Sequence, residues 1–416
     1  MGRQRAGWAM VAVTVMALVA AGCSSEPEQP PLVLPAIAPP TLDITPAAKA
    51  KQVPVSAEIA VRTTDGRVTA LDVTDDKGVA VRGAMRADGS SWVPAKPLGY
   101  QRTYTVAATA TGAYGQATTQ RTSFTTMAKP TRTVDTTLYF FDQATYGVAM
   151  PVTLDFSQAI PKSARAAVQR RLFVTTEPPQ PGAWHWLDSG TEVFYRAPDY
   201  WRPGTKITVR MALEGVPMGA GIFGDADRTA TAKIGNSVFL DIDNRTKQMT
   251  VTIDGKVAKR IPVSMGKPNT PTSSGKMVIM EKHDRVTFDT RNDPQGGYVV
   301  TVSDAQRLTW GGEFIHAAPW SEGDQGYSNV SHGCTNVSSW AASYLMGITH
   351  VGDLVTIKGT EVTLDQGNGW TAWNMTWDEF VRGSALDVPA DLKPAPAKAA
   401  APKPSAVPVP VPSPTN

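Results

Sequence analysis

The sequence predicts a mainly β protein, and three observations carry that expectation. Short runs that alternate apolar and polar residues recur down most of the chain. Turn residues such as Asp-Gly and Gly-Ser separate them, and one segment, Trp340 to Ile348, repeats apolar residues at helical spacing. A length of 416 residues suits two to four domains at roughly 100–200 residues each. A hydrophobic fraction of 42% with 11 Trp suffices for real cores. The net charge of +3, without long like-charge runs, offers nothing to attract nucleic acid, so no nucleic-acid partner is expected.

At the N-terminus, Arg3 and Arg5 precede an apolar run from Trp8 to Val19, of secretory-signal length and too short for a permanent membrane helix. The run closes on Leu18-Val19-Ala20-Ala21-Gly22-Cys23, which resembles the lipobox of bacterial lipoproteins. That resemblance implies a signal peptide over residues 1–22 and lipid attachment at Cys23. The mature protein would then be exported, anchored to the outer face of the cell membrane and able to reach the cell wall. Residues 23–52, rich in Pro and Ala, read as an extended linker.

Residues 53–128 contain alternating runs such as "AEIAVRT", "VTALDVTD" and "TYTVAATAT" between short turns, the pattern of a β-sandwich. Residues 129–235 repeat the style with "PVTLDFS", "EVFYRA" and "KITVRMAL". Both look immunoglobulin-like, without the cysteine pair of antibody domains, and neither gathers catalytic side chains. His185, between Trp184 and Trp186, belongs to a packed surface.

Residues 236–358 change character. Val238, Leu240 and Ile242 alternate on one strand face, a polar turn follows at Asn244 to Thr246, and Asp254-Gly255 marks a hairpin. Trp340, Ala341, Tyr344, Leu345 and Ile348 then form a short helix with Ser338 as its N-cap, and the chain returns to strand at "DLVTIKG". In residues 359–388, Trp370, Trp373 and Trp377 read as a subdomain folding back on this third domain. Residues 389–416 alternate Pro with small residues and read as a disordered or polyproline-like tail.

Cys334 is the one cysteine in the body of the chain. An exported protein that keeps an unpaired thiol risks its oxidation, so Cys334 is a candidate nucleophile rather than a packing residue. A useful nucleophilic thiol needs a base or a positive field. Two histidines precede it: His332 by two residues and His316 by eighteen, the latter at the end of the apolar run "EFIHAA". A base approaches sulfur from a neighbouring element, which makes His316 the better candidate. Zinc is a weaker reading of the same side chains. No His-x-x-x-His or Cys-x-x-Cys spacing accompanies them, and the nearest downstream carboxylate is Asp353.

His316 followed by Ser331-His332-Gly333-Cys334-Thr335-Asn336 resembles the signature of the L,D-transpeptidase (YkuD-type) catalytic domain. "VSMGKPNTPTSSGKMVI" resembles the same domain's Gly and Thr-Pro segment, and the whole layout resembles mycobacterial-type members. Thr335 stands where the family usually has an apolar residue, and Ala317 where relatives often have Ser. The resemblance implies Cys334 as nucleophile and His316 as base, with the Ala317 carbonyl holding the far ring nitrogen. Backbone N–H groups of Gly333 and Cys334, with the Tyr298 hydroxyl, would form an oxyanion hole. Ser331 and Asn336 would shape the site, Trp320 would wall the substrate channel, and His332 would position substrate.

The implied reaction forms a 3→3 diaminopimelate–diaminopimelate cross-link in peptidoglycan through a Cys334 thioester with loss of D-Ala. Tetrapeptide stems serve as donor and acceptor, no cofactor takes part, and carbapenems could acylate the same thiol. Because acyl transfer must outrun hydrolysis, Asp289 to Asp304 is expected to be a lid. Two alternatives stand beside this reading: an L,D-carboxypeptidase using water as acceptor, and a catalytically silent wall-binding lipoprotein.

Overall fold

The structure, a computed structural model, describes residues 38–393 except 290, 292–296 and 298. The signal peptide, Cys23 and the first part of the linker lie outside the described residues. So do Tyr298, the centre of the expected lid and the tail beyond residue 393. The described chain is mainly β, as expected, and no described helix is long and apolar enough to cross a membrane.

Strand Thr103–Gly112 shows how the alternating runs build the first sandwich. Tyr104, Val106, Ala108 and Ala110 turn inward while the Thr residues between them face outward. It pairs with Gly66–Asp75 on one side and Ala117–Thr125 on the other. This sandwich begins earlier than the sequence suggests, which corrects the expected linker over 23–52. Thr41–Thr45 is already a strand, pairing Ile44 with Val61 and burying Ile44 in the core. A five-residue strand flanked by Pro40 and Pro46 has little periodicity of its own, and only its distant partner makes it a strand.

In the second sandwich, two four-stranded sheets face each other across Leu154, Phe194, Ile207, Val209, Met211 and Trp201. A helix, Lys162–Gln169, joins two of its strands and buries Ala164 and Val168 at i, i+4. The strand-like reading of this region missed that helix.

In the third domain, a six-stranded sheet carries Val238–Asp243 at its centre, antiparallel to Gln248–Ile253 and parallel to Leu354–Lys358. The Asp254-Gly255 turn takes positive φ at both residues, 47° and 77°, the conformation a two-residue hairpin needs. A second sheet stacks Glu281–Asp289, Val299–Arg307, Phe314–Ala317 and Thr335–Val337. Helix Ser339–Ile348 is capped as expected, the Ser338 hydroxyl accepting from the Ala341 N–H at 3.2 Å. Its Ala341 and Leu345 are buried, whereas Trp340 stays 59% exposed.

The Trp-rich C-terminal segment packs on the second sandwich as well as on the third domain. Trp370, Trp373 and Phe380 join the core of the second sandwich, not that of the catalytic domain alone. The buried Arg196 draws them there. Its guanidinium donates to the carbonyls of Ala372 and Met375 and lies over the rings of Trp373, Phe380 and Trp377 at 4.3, 4.4 and 5.2 Å. His185 bonds the Phe380 carbonyl at 2.7 Å, and the Trp373 indole donates to the Ala149 carbonyl at 2.6 Å. On its other side Asn374 accepts from the Lys276 N–H and Asn368 from the Gly311 N–H. The segment therefore clamps the second sandwich to the third domain.

Candidate active site

Strand Phe314–Ala317 is buried along its whole length and runs parallel to Thr335–Val337, with His316 paired to Asn336. Cys334 lies two residues before Asn336, so it shares a sheet face with Asn336 and with the paired His316. Parallel pairing over eighteen residues of sequence thus brings the two predicted catalytic side chains to one place. Both line a cavity of about 240 Å³, together with Phe288, Val300, Trp320, Ser331, His332 and Asn336.

Hydrogen bonds lock the turn that presents Cys334. The Ser331 hydroxyl donates to the Cys334 carbonyl at 2.6 Å and accepts from the Gly333 N–H at 3.1 Å. The Thr272 hydroxyl donates to the Gly333 carbonyl at 2.8 Å and accepts from the Gly266 N–H at 2.8 Å. Gly333 has φ of +121°, a backbone conformation that residues with a Cβ rarely adopt. Its N–H is engaged by Ser331, and the glycine is required by the turn itself. Tyr298, the expected hydroxyl donor, lies outside the described residues.

His316 is 4% exposed, and its Nδ1–H donates to the Ala317 carbonyl at 2.9 Å. A carbonyl only accepts, so Nδ1 holds the proton and Nε2 keeps its lone pair. Burial lowers the imidazole's pKa against the opposing pull of that bond, leaving it neutral near neutral pH. The Ala317 carbonyl thus makes the contact the sequence resemblance implied, and the change from Ser at that position is immaterial to it.

Cys334 departs from the expectation of an acidified thiol. Burial pushes it up to about 12, the nearby Glu313 adds to the rise, and a bond from the Phe314 backbone opposes it. The thiol donates to the Gly312 carbonyl at 3.6 Å. A neutral thiol therefore faces a neutral imidazole, an arrangement suited to removing the proton as sulfur attacks rather than to a preformed ion pair.

Asn336 donates from Nδ2 to the Ser321 hydroxyl at 3.1 Å, and Ser321 donates to the Ala318 carbonyl at 3.2 Å. These bonds brace the Pro319–Ser321 turn, which holds the exposed Trp320 at the cavity mouth with its ring 6.1 Å from that of His316. His332 is exposed at the mouth, and its Nε2 accepts from the Lys267 ammonium at 2.9 Å. Phe288 meets His316 edge-on at 5.6 Å, and Val300 flanks it, so the arms of the hairpin expected as a lid already wall the cavity. Among the described residues no group of three or more His, Cys, Asp or Glu is placed to hold a metal ion.

Sequence reasoning missed Thr272 and Glu313. Thr272 lies inside the quoted Thr-Pro segment, whose role becomes visible only when it crosses the Gly333 turn. Glu313 accepts from the Ser273 N–H and hydroxyl with Oε1, while its Oε2 is buried without a partner, and burial raises its pKa. Its negative charge disfavours the thiolate. Glu313→Gln should therefore be alkylated by iodoacetamide at Cys334 faster than wild type at pH 8, by roughly two- to tenfold. An unchanged rate would mean that Glu313 exerts no charge on the thiol.

Comparison with known proteins follows the same lines. The family model described as the L,D-transpeptidase catalytic domain matches residues 237–357, and that of a bacterial Ig domain matches residues 50–217, spanning both sandwiches as one unit. The chain is similar to L,D-transpeptidase 2 of Mycobacterium tuberculosis (strain CDC 1551 / Oshkosh), 36% identical over 80% of this chain and 82% of that protein. It is similar also to L,D-transpeptidase 5 of Mycobacterium tuberculosis (strain ATCC 25618 / H37Rv), 35% identical over 86% and 79% of the two chains. A solved LD transpeptidase in complex with imipenem aligns over 55% of this chain and 100% of its own, at 31% identity and a TM-score of 0.46.

Proposed function

This chain belongs to the L,D-transpeptidase family, a cysteine-dependent transpeptidase by its catalytic domain, and on that premise we propose that it cross-links diaminopimelate residues of peptidoglycan through a thioester at Cys334. The observation that carries the reading is the shared sheet face of Cys334 and His316 inside one cavity, with the Nε2 lone pair left to accept a proton.

In the first half-reaction Nε2 takes the thiol proton as sulfur attacks the amide carbonyl between diaminopimelate and the terminal D-Ala. The C–N bond then breaks, His316 returns the proton to the leaving amine, and D-Ala departs from a thioester. In the second, the side-chain amine of diaminopimelate on another stem attacks the thioester carbonyl, loses a proton to His316, and expels the thiolate, which is reprotonated. Nothing is oxidised or reduced. Trp320, Phe288 and Val300 limit water at the thioester, which favours amine transfer over hydrolysis. The same chemistry would let a carbapenem acylate Cys334.

The N-terminal pattern supports an exported lipoprotein attached through Cys23, with the linker and sandwiches reaching into the wall. The decisive experiment incubates the protein with tetrapeptide stems and weighs the products. A cross-linked dimer with one D-Ala lost per link is expected. Tripeptide alone would mean that water is the acceptor, as in an L,D-carboxypeptidase, and no D-Ala at all would leave the silent wall-binding reading.

A further inference from the structure

Among the described residues, the lining of the cavity that holds Cys334 includes no Asp, Glu, Lys or Arg. Its substrate on the proposed reading is a peptide stem with free carboxylates. Such a ligand, entering a pocket partly shielded from water, calls for a cation within reach. The structure puts one there. Lys267 sits in the loop between Met265 and Thr272, which crosses directly over the catalytic turn: its N–H donates to the Ser331 carbonyl at 3.0 Å, and Ser331 itself donates to the Met265 carbonyl at 3.0 Å. Its ammonium reaches the cavity wall, donating to Nε2 of His332 at 2.9 Å.

That contact is unusual for a lysine. Ammonium groups on folded chains most often meet a carboxylate or water, yet among the described residues Lys267 joins no ion pair and bonds an imidazole that lines the cavity. An ammonium can only donate, so Nε2 of His332 is the acceptor in this contact. The ammonium has three donors, and the ring takes one. Two donors and a full charge therefore remain at the rim of the cavity, on a loop whose backbone is tied to the turn that carries the nucleophile.

We propose that Lys267, oriented by His332, is the receptor for a carboxylate of the donor stem and so sets the register in which the scissile amide meets Cys334. The inference rests on the transpeptidase reading and adds the group that selects its anionic substrate. Two carboxylates can supply the ligand: that of the leaving D-Ala and the free one of diaminopimelate. His332 becomes the arm that holds the ammonium, which gives its exposed position at the mouth a role separate from that of the base.

Steady-state D-Ala release tests it, with wild type, Lys267→Met and Lys267→Arg against three donors: the unmodified tetrapeptide, one amidated at D-Ala and one amidated at diaminopimelate. With the unmodified donor, Lys267→Met should raise KM roughly tenfold and leave kcat within about twofold, the size of a partly solvated charge-assisted bond, and Lys267→Arg should recover most of the loss. One of the two amidations should impose the same rise on wild type and remove the effect of Lys267→Met, which identifies the carboxylate. Equal losses with all three donors would show that the lysine only supports the loop and would overturn the proposal, as would an unchanged KM. Iodoacetamide labelling of Cys334 at the wild-type rate in Lys267→Met checks that the turn is intact. If wild type releases no D-Ala, the transpeptidase reading fails and this assignment with it, whereas turnover by wild type with no donor dependence at Lys267 defeats the assignment alone.

Discussion

Cys334→Ala is expected to abolish D-Ala release and to leave no covalent adduct with a carbapenem, while wild type gains the mass of one acyl group. The loss in kcat should be roughly 10⁴-fold or more, because Cys334 carries the one free thiol among the described residues and the acyl intermediate is a thioester on it. Unfolding would not account for such a loss. The sulfur packs in a small cluster with Val302, Ala305 and Phe314, and trimming it to a methyl group removes one atom from that cluster, about 1 kcal/mol of stability. The variant should therefore melt within a few degrees of wild type and still bind the stem. Retention of D-Ala release or of the carbapenem adduct by Cys334→Ala would remove Cys334 from the mechanism.

His316→Gln should lower kcat by roughly 10²- to 10⁴-fold, and its pH profile should change shape. In wild type the imidazole is already neutral near neutral pH, because burial holds its pKa below the ordinary histidine value. The rate should accordingly level off from about neutrality upward. Without that base the thiol must ionise unaided, and a thiol pushed up to about 12 gains thiolate tenfold with each pH unit below that value. The variant's rate should thus climb by about an order of magnitude per unit between pH 7 and 9. A variant within about threefold of wild type, or one with the wild-type plateau, would assign the base to another group; His332 is the one to test next.

These expectations show which features were legible from residue order. Asp254-Gly255 announced its hairpin because the turn's backbone conformation is a local property of those two residues. Ser338 announced the helix start for the same reason. Cys334 stood out because it is the one cysteine in the body of the chain and sits between His-Gly and Thr-Asn. His316 was reachable by its spacing and by the resemblance of the motif around it, and the strand pairing of His316 with Asn336 accounts for both. Strand Thr41–Thr45 and helix Lys162–Gln169 were missed because each owes its conformation to distant partners more than to its own pattern. The Trp-rich segment does meet the third domain, and its second neighbour, the second sandwich, was missed since nothing at residues 370–380 signals a buried arginine at position 196.

From residue order alone came the mainly β class, the approximate run of sandwiches and catalytic domain, and the candidate pair Cys334 and His316 that the structure places at one cavity. All of these follow from local periodicity, turn chemistry and the identity of reactive groups. Only the tertiary structure decided the state of that chemistry. Whether the thiol is acidic or neutral, whether the Gly333 N–H is free or held by Ser331, and which cation overlooks the cavity depend on what surrounds each atom. Desolvation and hydrogen bonding act between residues far apart in sequence, so the pKa of Cys334 is set by its burial, then by the Phe314 backbone and Glu313.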